Sequence, residues 1–79
     1  MRAVTLVDGR PMQLISYGSG TAYSLVNRTT NMEVFFQGDD ATRFSEEFDA
    51  LGAANPHERT QTILCRMWAD YAHIVTPRK

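Results

Sequence analysis

The chain has few features that would cross-link a protein, insert it into a membrane or give it a large net charge. Its single cysteine excludes an internal disulfide and is typical of a protein in the reducing cytoplasm. No apolar run reaches the roughly 18 residues of a membrane span, and polar residues 8–10 interrupt the apolar start too early for a signal peptide. The formal net charge of −1 argues against nucleic-acid binding, which usually needs a strong basic patch. We therefore expect a cytoplasmic protein that binds neither membrane nor nucleic acid directly.

The first half of the chain predicts four short strands. Apolar and β-branched runs are separated by turn signals rich in glycine, asparagine and aspartate. Asp8-Gly9 favours a two-residue type I′ hairpin turn. Pro11 should start the second strand or lie on an edge, because proline cannot donate a ladder hydrogen bond. The short connections predict an antiparallel meander over residues 3–7, 11–16, 21–27 and 32–37.

The alternation on the fourth strand predicts which side chains face a core. Val34 and Phe36, with Met32, form the set that we expect to face the helices, which leaves Phe35 on the open face of the sheet. On the other strands both alternating sets are apolar. Leu14 or Ile15, and Leu6 or Val7, can therefore face inward on sequence alone.

After Gly38 the period of the apolar pattern changes from two to 3.6. The pattern predicts a first helix from about residue 40 to 51, ended by Gly52. Asn55, Pro56 and Glu58 match a capping box, which predicts a second helix over residues 56–75. The core stripe expected on this helix consists of Ile63, Leu64, Met67, Tyr71, Ile74 and Val75. The whole is a single α+β domain, ββββαα, with a four-stranded antiparallel sheet and both helices packed on one face.

An acidic segment coincides with the first predicted helix. Five carboxylates fall between residues 39 and 49, opposed only by Arg43, and helical spacing turns them away from Phe44 and Phe48. One interpretation is a solvated outer face. The other is an acidic patch that docks on a basic surface of a host protein complex. The partner-binding residues predicted on that second interpretation are Asp39, Asp40, Glu46, Glu47 and Asp49.

The back of the second predicted helix carries small and aromatic residues. With Ile63 at 0° and 100° per residue, Cys65 falls at about 200°, largely opposite the core. It is either a small buried residue in a helix covered on both sides or part of a homodimer or partner interface. His57 and His73 lie roughly 12 Å from it along the helix, too far for a catalytic dyad. The predicted interface set is Cys65, Trp68, Ala69 and Ala72.

The sequence contains no catalytic, metal-binding or cofactor-binding motif, so we expect a non-enzymatic protein that works by contact. The meander, the acidic helix and the second helix together resemble small phage-encoded anti-CRISPR proteins, in particular inhibitors of type I (type I-C) systems. The resemblance implies a protein of a phage or mobile element that binds a type I effector complex in the host cytoplasm and blocks DNA binding or nuclease recruitment. It rests on no shared motif and therefore implies no functional residue. The alternative is a small homodimeric structural or regulatory interaction module.

Overall fold

A computed structural model describes residues 3–18 and 20–77 of the chain. In this part of the chain a five-stranded antiparallel sheet with strand order β1-β2-β3-β4-β5 packs against two helices. This arrangement confirms the predicted ββββαα α+β fold and adds a short fifth strand. The elements are β1 Ala3–Asp8, β2 Met12–Tyr17, β3 Ala22–Asn27, β4 Met32–Gln37, α1 Asp39–Ala54, α2 Thr60–Asp70, a 3₁₀ turn Ala72–Ile74 and β5 Thr76–Pro77.

The connection between β1 and β2 differs from the predicted two-residue turn. Asp8 pairs with Gln13, so four residues separate the pair, and Gly9 does not have the positive φ of a type I′ turn. Gly9 instead lies close to α2. A Cβ atom at this position would collide with the side chain of Gln61 on α2. The type I′ prediction is wrong because the connection is longer than two residues and Gly9 lacks the positive φ of that turn.

The pairing of the strands gives the sheet two distinct faces. Leu14, Leu25 and Val34 form a cross-strand row that packs against the helices. The neighbouring row, which includes Phe35, lies on the opposite face, where Phe35 is 51% exposed. The predicted inward orientation of Val34 and outward orientation of Phe35 are thus confirmed. In β1 an irregularity between Thr5 and Val7 lets Val7 pack against the core and leaves Leu6 exposed.

Aromatic rings form the centre of the core between α1 and the sheet. Phe44 of α1 is 1% exposed, and its ring stacks on Phe36 of β4 with centroids 4.5 Å apart. Tyr23 and Tyr71 approach the same ring at 5.6 and 6.5 Å. Offset and tilted arrangements of this kind are favourable for aromatic pairs. The remaining buried residues of the cluster are Met12, Leu14, Leu25, Val34, Ala41, Ile63, Leu64 and Met67.

The boundary between the two helices lies elsewhere than predicted. α1 continues through Gly52, which does not adopt a positive φ, and ends at Ala54. Asn55 caps the end of α1, because its backbone N–H and its Nδ2 both donate to the Leu51 carbonyl, at 3.0 and 2.9 Å. A residue that closes one helix in this way does not open the next. The capping-box prediction is therefore wrong, and α2 begins only at Thr60.

The second helix is also shorter than its predicted span of residues 56–75. It ends at Asp70, and the chain passes through the 3₁₀ turn into β5, which pairs with Met32 and Glu33 of β4. Pro77 favours the extended backbone of β5, because the residue before a proline, here Thr76, avoids the helical region. Val75 still packs against the core, whereas Ile74 is 49% exposed. The prediction of Ile74 as a core residue is wrong, since it assumed a continuous helix.

Candidate functional site

The five acidic residues predicted to bind a partner lie on two different sides of α1. At 100° per residue, Asp39, Glu46 and Asp49 are about 120–180° from the centre of the apolar face, and all three are exposed. Asp40 and Glu47 are only about 60–80° from that centre. We refer to Asp39, Glu46 and Asp49 as the acidic face of α1. The structure thus brings three of the five predicted residues together on one surface.

The other two carboxylates lie close to the end of α2. Asp40 lines a small pocket of about 80 Å³ together with Arg43 and Tyr71. Glu47 is half-buried and accepts a hydrogen bond of 3.2 Å from the Tyr71 hydroxyl. Burial raises the pKa of Tyr71, and the neighbouring charge of Glu47 raises it further. Glu47 therefore contributes to the packing of α1 on α2 as well as to the surface charge.

The charge on α1 is poorly balanced within the molecule. Five carboxylates and one guanidinium give the helix a formal charge of −4. In the part of the chain that the structure describes, the ion pairs join Arg28 to Asp8 and Arg66 to Glu58. Neither pair involves the acidic face of α1. The whole-chain charge of −1 therefore conceals one strongly acidic helix.

The four residues of the predicted dimer interface do not form a single helical strip. Cys65 and Ala69 are exposed one turn apart on α2, and Trp68 beside them is half-buried against the core. Ala72 is exposed but lies on the 3₁₀ turn, beyond the end of the helix. The interpretation of Cys65 as a buried residue is wrong, because no second layer covers this face of α2 within residues 3–18 and 20–77. The dimer interface on the back of α2 stays a prediction.

Both histidines lie outside α1 and α2. His57 is exposed in the connection between α1 and α2, and His73 is exposed in the 3₁₀ turn. Among the described residues, no group of three histidine, cysteine, aspartate or glutamate side chains is placed to hold a metal ion. Neither helix of the described chain is long and apolar enough to cross a membrane.

A polar pocket at one end of the open sheet face was not predicted from the sequence. It has a volume of about 320 Å³ and lies between the β1–β2 connection and the β3–β4 turn. Two of the residues that line it, Arg10 and Arg28, are 18 positions apart in the chain and look scattered in the sequence. The available signal was the meander itself, which brings alternate turns to the same end of a sheet. The residues that line this turn-end pocket are Arg10, Gln13, Val26, Arg28 and Asn31.

Comparison of the chain with protein-family models, with curated proteins and with solved structures found no match. The surfaces described above are therefore the basis for assigning a function. They are the acidic face of α1, the exposed back of α2 and the turn-end pocket.

Proposed function

We propose that this protein is a non-enzymatic inhibitor that binds a basic surface of a host complex through the acidic face of α1. The target class implied by the resemblance of the sequence to anti-CRISPR proteins is a type I effector complex. The single observation that carries the proposal is the acidic face itself. Asp39, Glu46 and Asp49 are exposed, point away from the core and have no ion-pair partner among the described residues.

The inhibition would follow from simple electrostatics. A protein channel that binds DNA presents lysine and arginine to the phosphate backbone. Carboxylates held on a folded helix can occupy the same cations without the ordering cost of a flexible acidic tail. Binding at such a surface would block the entry of DNA or the recruitment of a nuclease. Because the carboxylates are exposed, the association should be faster and tighter at low salt than at high salt.

Neutralising the acidic face should weaken this binding. For a variant carrying Asp39→Asn, Glu46→Gln and Asp49→Asn, we expect about a tenfold loss of affinity for a purified type I-C effector complex at 0.15 M salt. Exposed charge pairs contribute roughly 0.2–1 kcal/mol each, and about 1.4 kcal/mol corresponds to a factor of ten. The measurement is biolayer interferometry with the effector complex immobilised, at salt concentrations from 0.05 to 0.3 M.

Asp70→Asn is the matched control, because Asp70 is an exposed carboxylate at the end of α2 and lies outside the acidic face. It should leave the affinity within about twofold. An unchanged affinity of the triple variant, or an affinity that does not depend on salt, would contradict docking through α1. If the unaltered protein binds no type I effector complex at all, the target is wrong, whatever the behaviour of the variant.

The second candidate function is a self-associating module that uses the back of α2. The observation that favours it is the exposure of Cys65 next to Ala69, with Trp68 at the margin of the same surface. Small side chains allow two helices to approach closely, and a partly exposed tryptophan is a frequent anchor of an interface. In a symmetric dimer built on this surface, the two copies of Cys65 would lie close together.

Oxidation of Cys65 tests the second candidate. Treatment with diamide should convert a dimer of this kind into a disulfide-linked species on a non-reducing gel, and Cys65→Ser should abolish that band. Ala69→Glu should abolish the dimer in sedimentation equilibrium by placing a charge in the interface, whereas Ala53→Glu on exposed α1 should not. A protein that stays monomeric at 0.5 mM and forms no oxidised dimer would rule out this module.

A further inference from the structure

The turn-end pocket is formed by two segments that the fold fixes to each other. The β1–β2 connection and the β3–β4 turn meet at one end of the sheet, where the Arg28 backbone N–H donates to the Pro11 carbonyl at 2.7 Å. The Asn27 side chain stabilises the turn by accepting from the backbone N–H groups of Thr29 and Thr30, at 3.0 and 3.3 Å. The volume of about 320 Å³ is at the lower end of the range for small-molecule sites.

Arg28 is held in position on one side of this pocket. Its Nη1 lies 2.8 Å from Oδ1 of Asp8, and its side chain is 33% exposed. Asp8 also accepts a longer hydrogen bond, of 3.4 Å, from Nε2 of Gln13. A guanidinium has five N–H donors in a planar fork, and the described contact with Asp8 uses one nitrogen. Asp8 therefore orients Arg28 and leaves donor capacity for a ligand.

Arg10 also lines the pocket and is exposed. Among the described residues it makes no ion pair. Glu33, which pairs with Val26 across the strands, accepts a 2.9 Å hydrogen bond from Ser24, one step further from the turn end. Glu33 does not line the pocket, so the two lining guanidiniums and the Asp8 carboxylate that pairs with Arg28 leave one net positive charge at the site. This charge matches a ligand that carries a single negative charge.

The surroundings of the two arginines indicate what else the ligand should contain. Val26 lines the pocket but is 1% exposed, so it closes the pocket without offering an apolar surface to a ligand. The amide side chains of Gln13 and Asn31 form polar walls. A planar carboxylate fits the fork of an arginine with two parallel hydrogen bonds. A small organic acid with one carboxylate fits these donors.

We propose that the turn-end pocket binds the carboxylate of a small organic monoanion, with Arg10 and Arg28 holding the carboxylate. The site is on the open face of the sheet and does not include any residue of α1 or α2. It is therefore independent of the inhibitor function proposed above. Its occupation would be unaffected by neutralising the acidic face of α1.

Titration of the ¹⁵N-labelled protein with propionate at constant ionic strength tests the site. We expect saturable shifts of the amide signals of Arg10, Gln13, Arg28 and Asn31, with a dissociation constant in the millimolar range, as befits a five-heavy-atom ligand. Propionamide has the same shape without the charge and should bind at least tenfold more weakly. Inorganic phosphate at pH 8, which is mainly a dianion, should bind no more tightly than propionate.

Arg10→Gln should weaken the binding of propionate about tenfold while leaving the fold intact, since Arg10 is exposed and has no ion-pair partner in the described chain. Arg59→Gln is the matched control, because Arg59 is likewise exposed but lies before α2. Shifts that do not saturate, equal binding by the Arg10 variant, or an equal loss in the Arg59 variant would each overturn the site. Tenfold tighter binding of phosphate would overturn the choice of a monoanion.

Discussion

Phe44→Ala should lower the free energy of unfolding by about 4 kcal/mol, the largest loss that we expect from a single substitution in this chain. Phe44 is 1% exposed, and four other aromatic rings lie within 6.5 Å of its ring centroid. Truncation removes both the buried area and the ring contacts, and no neighbouring side chain can fill the cavity without moving. A domain of this size has a total stability of roughly 4–12 kcal/mol. The variant should therefore retain at most about 8 kcal/mol, and its urea midpoint should fall by a third or more.

Phe35→Ala is the matched control for this prediction, because it makes the same chemical change on the other side of the sheet. Phe35 is 51% exposed, and its ring contacts Tyr17 at a centroid distance of 6.0 Å. We expect its loss to change the free energy of unfolding by less than about 1 kcal/mol. Urea denaturation followed by circular dichroism measures both variants. Equal losses would contradict the placement of Phe44 in the core and Phe35 on the open face.

Gln61→Ala should lower the free energy of unfolding by about 2 kcal/mol, although Gln61 is only half-buried. The side chain of Gln61 forms two hydrogen bonds with the backbone of Met12. Its Oε1 accepts from the Met12 N–H at 2.9 Å, and its Nε2 donates to the Met12 carbonyl at 2.8 Å. These bonds join α2 to the start of β2 across 49 residues of sequence. Removing the amide leaves both backbone groups without these partners in a partly buried position.

Two further variants separate this effect from general changes at a glutamine. Gln61→Glu keeps an acceptor for the Met12 N–H but replaces the donor with a second oxygen, facing the Met12 carbonyl. Because Gln61 lies in the first turn of α2, a negative charge there would otherwise be favourable. We therefore expect Gln61→Glu to be destabilising, by about 1–2 kcal/mol, only if the paired hydrogen bonds exist. Gln37→Ala, at an exposed position, should stay within about 0.5 kcal/mol of the unaltered protein in the same urea experiment.

The strands of this fold could be predicted because their signals are local. In β4 the alternation of Val34 and Phe36 with Phe35 is enough to assign both faces, and the observed bounds of β4 agree with the prediction. In β1 the alternation is equally apolar on both sides. The irregularity that turns Val7 inward depends on its pairing with β2, which a single strand does not encode.

The helix boundaries could not be predicted for a chemical reason. An asparagine can accept from the N–H groups that open a helix or donate to the carbonyls that close one, and the sequence around Asn55 fits both. In the structure the Nδ2 group of Asn55 donates to the carbonyl of Leu51. The end of α2 depends on β5, whose partners Met32 and Glu33 are more than 40 residues earlier in the chain. Competition between a helix and a distant strand is not visible in local periodicity.

The candidate surfaces were predictable to different degrees. The outward direction of Asp39, Glu46 and Asp49 follows from helical spacing alone, once α1 is recognised. The exposure of Cys65 does not follow from helical spacing, because a residue opposite the core stripe is exposed only if no second layer covers it. The turn-end pocket depends on the meeting of Arg10 and Arg28 across two connections. Only the order of strands in the sheet provides that information.

Because the strands follow one another across the sheet, the first and last strands are at opposite edges. Ala3 lies in the cross-strand row that reaches Gln37, whereas Pro77 pairs with Met32 at the other end of β4. Four strand spacings and five residues along a strand separate these corners by roughly 25 Å. Any segment that joins Pro77 directly to Ala3 in a circular permutant would therefore need at least about eight residues. Fluorophores or tethers attached next to these two strands would project from opposite corners of the sheet. The distance between them would show whether the sheet is intact.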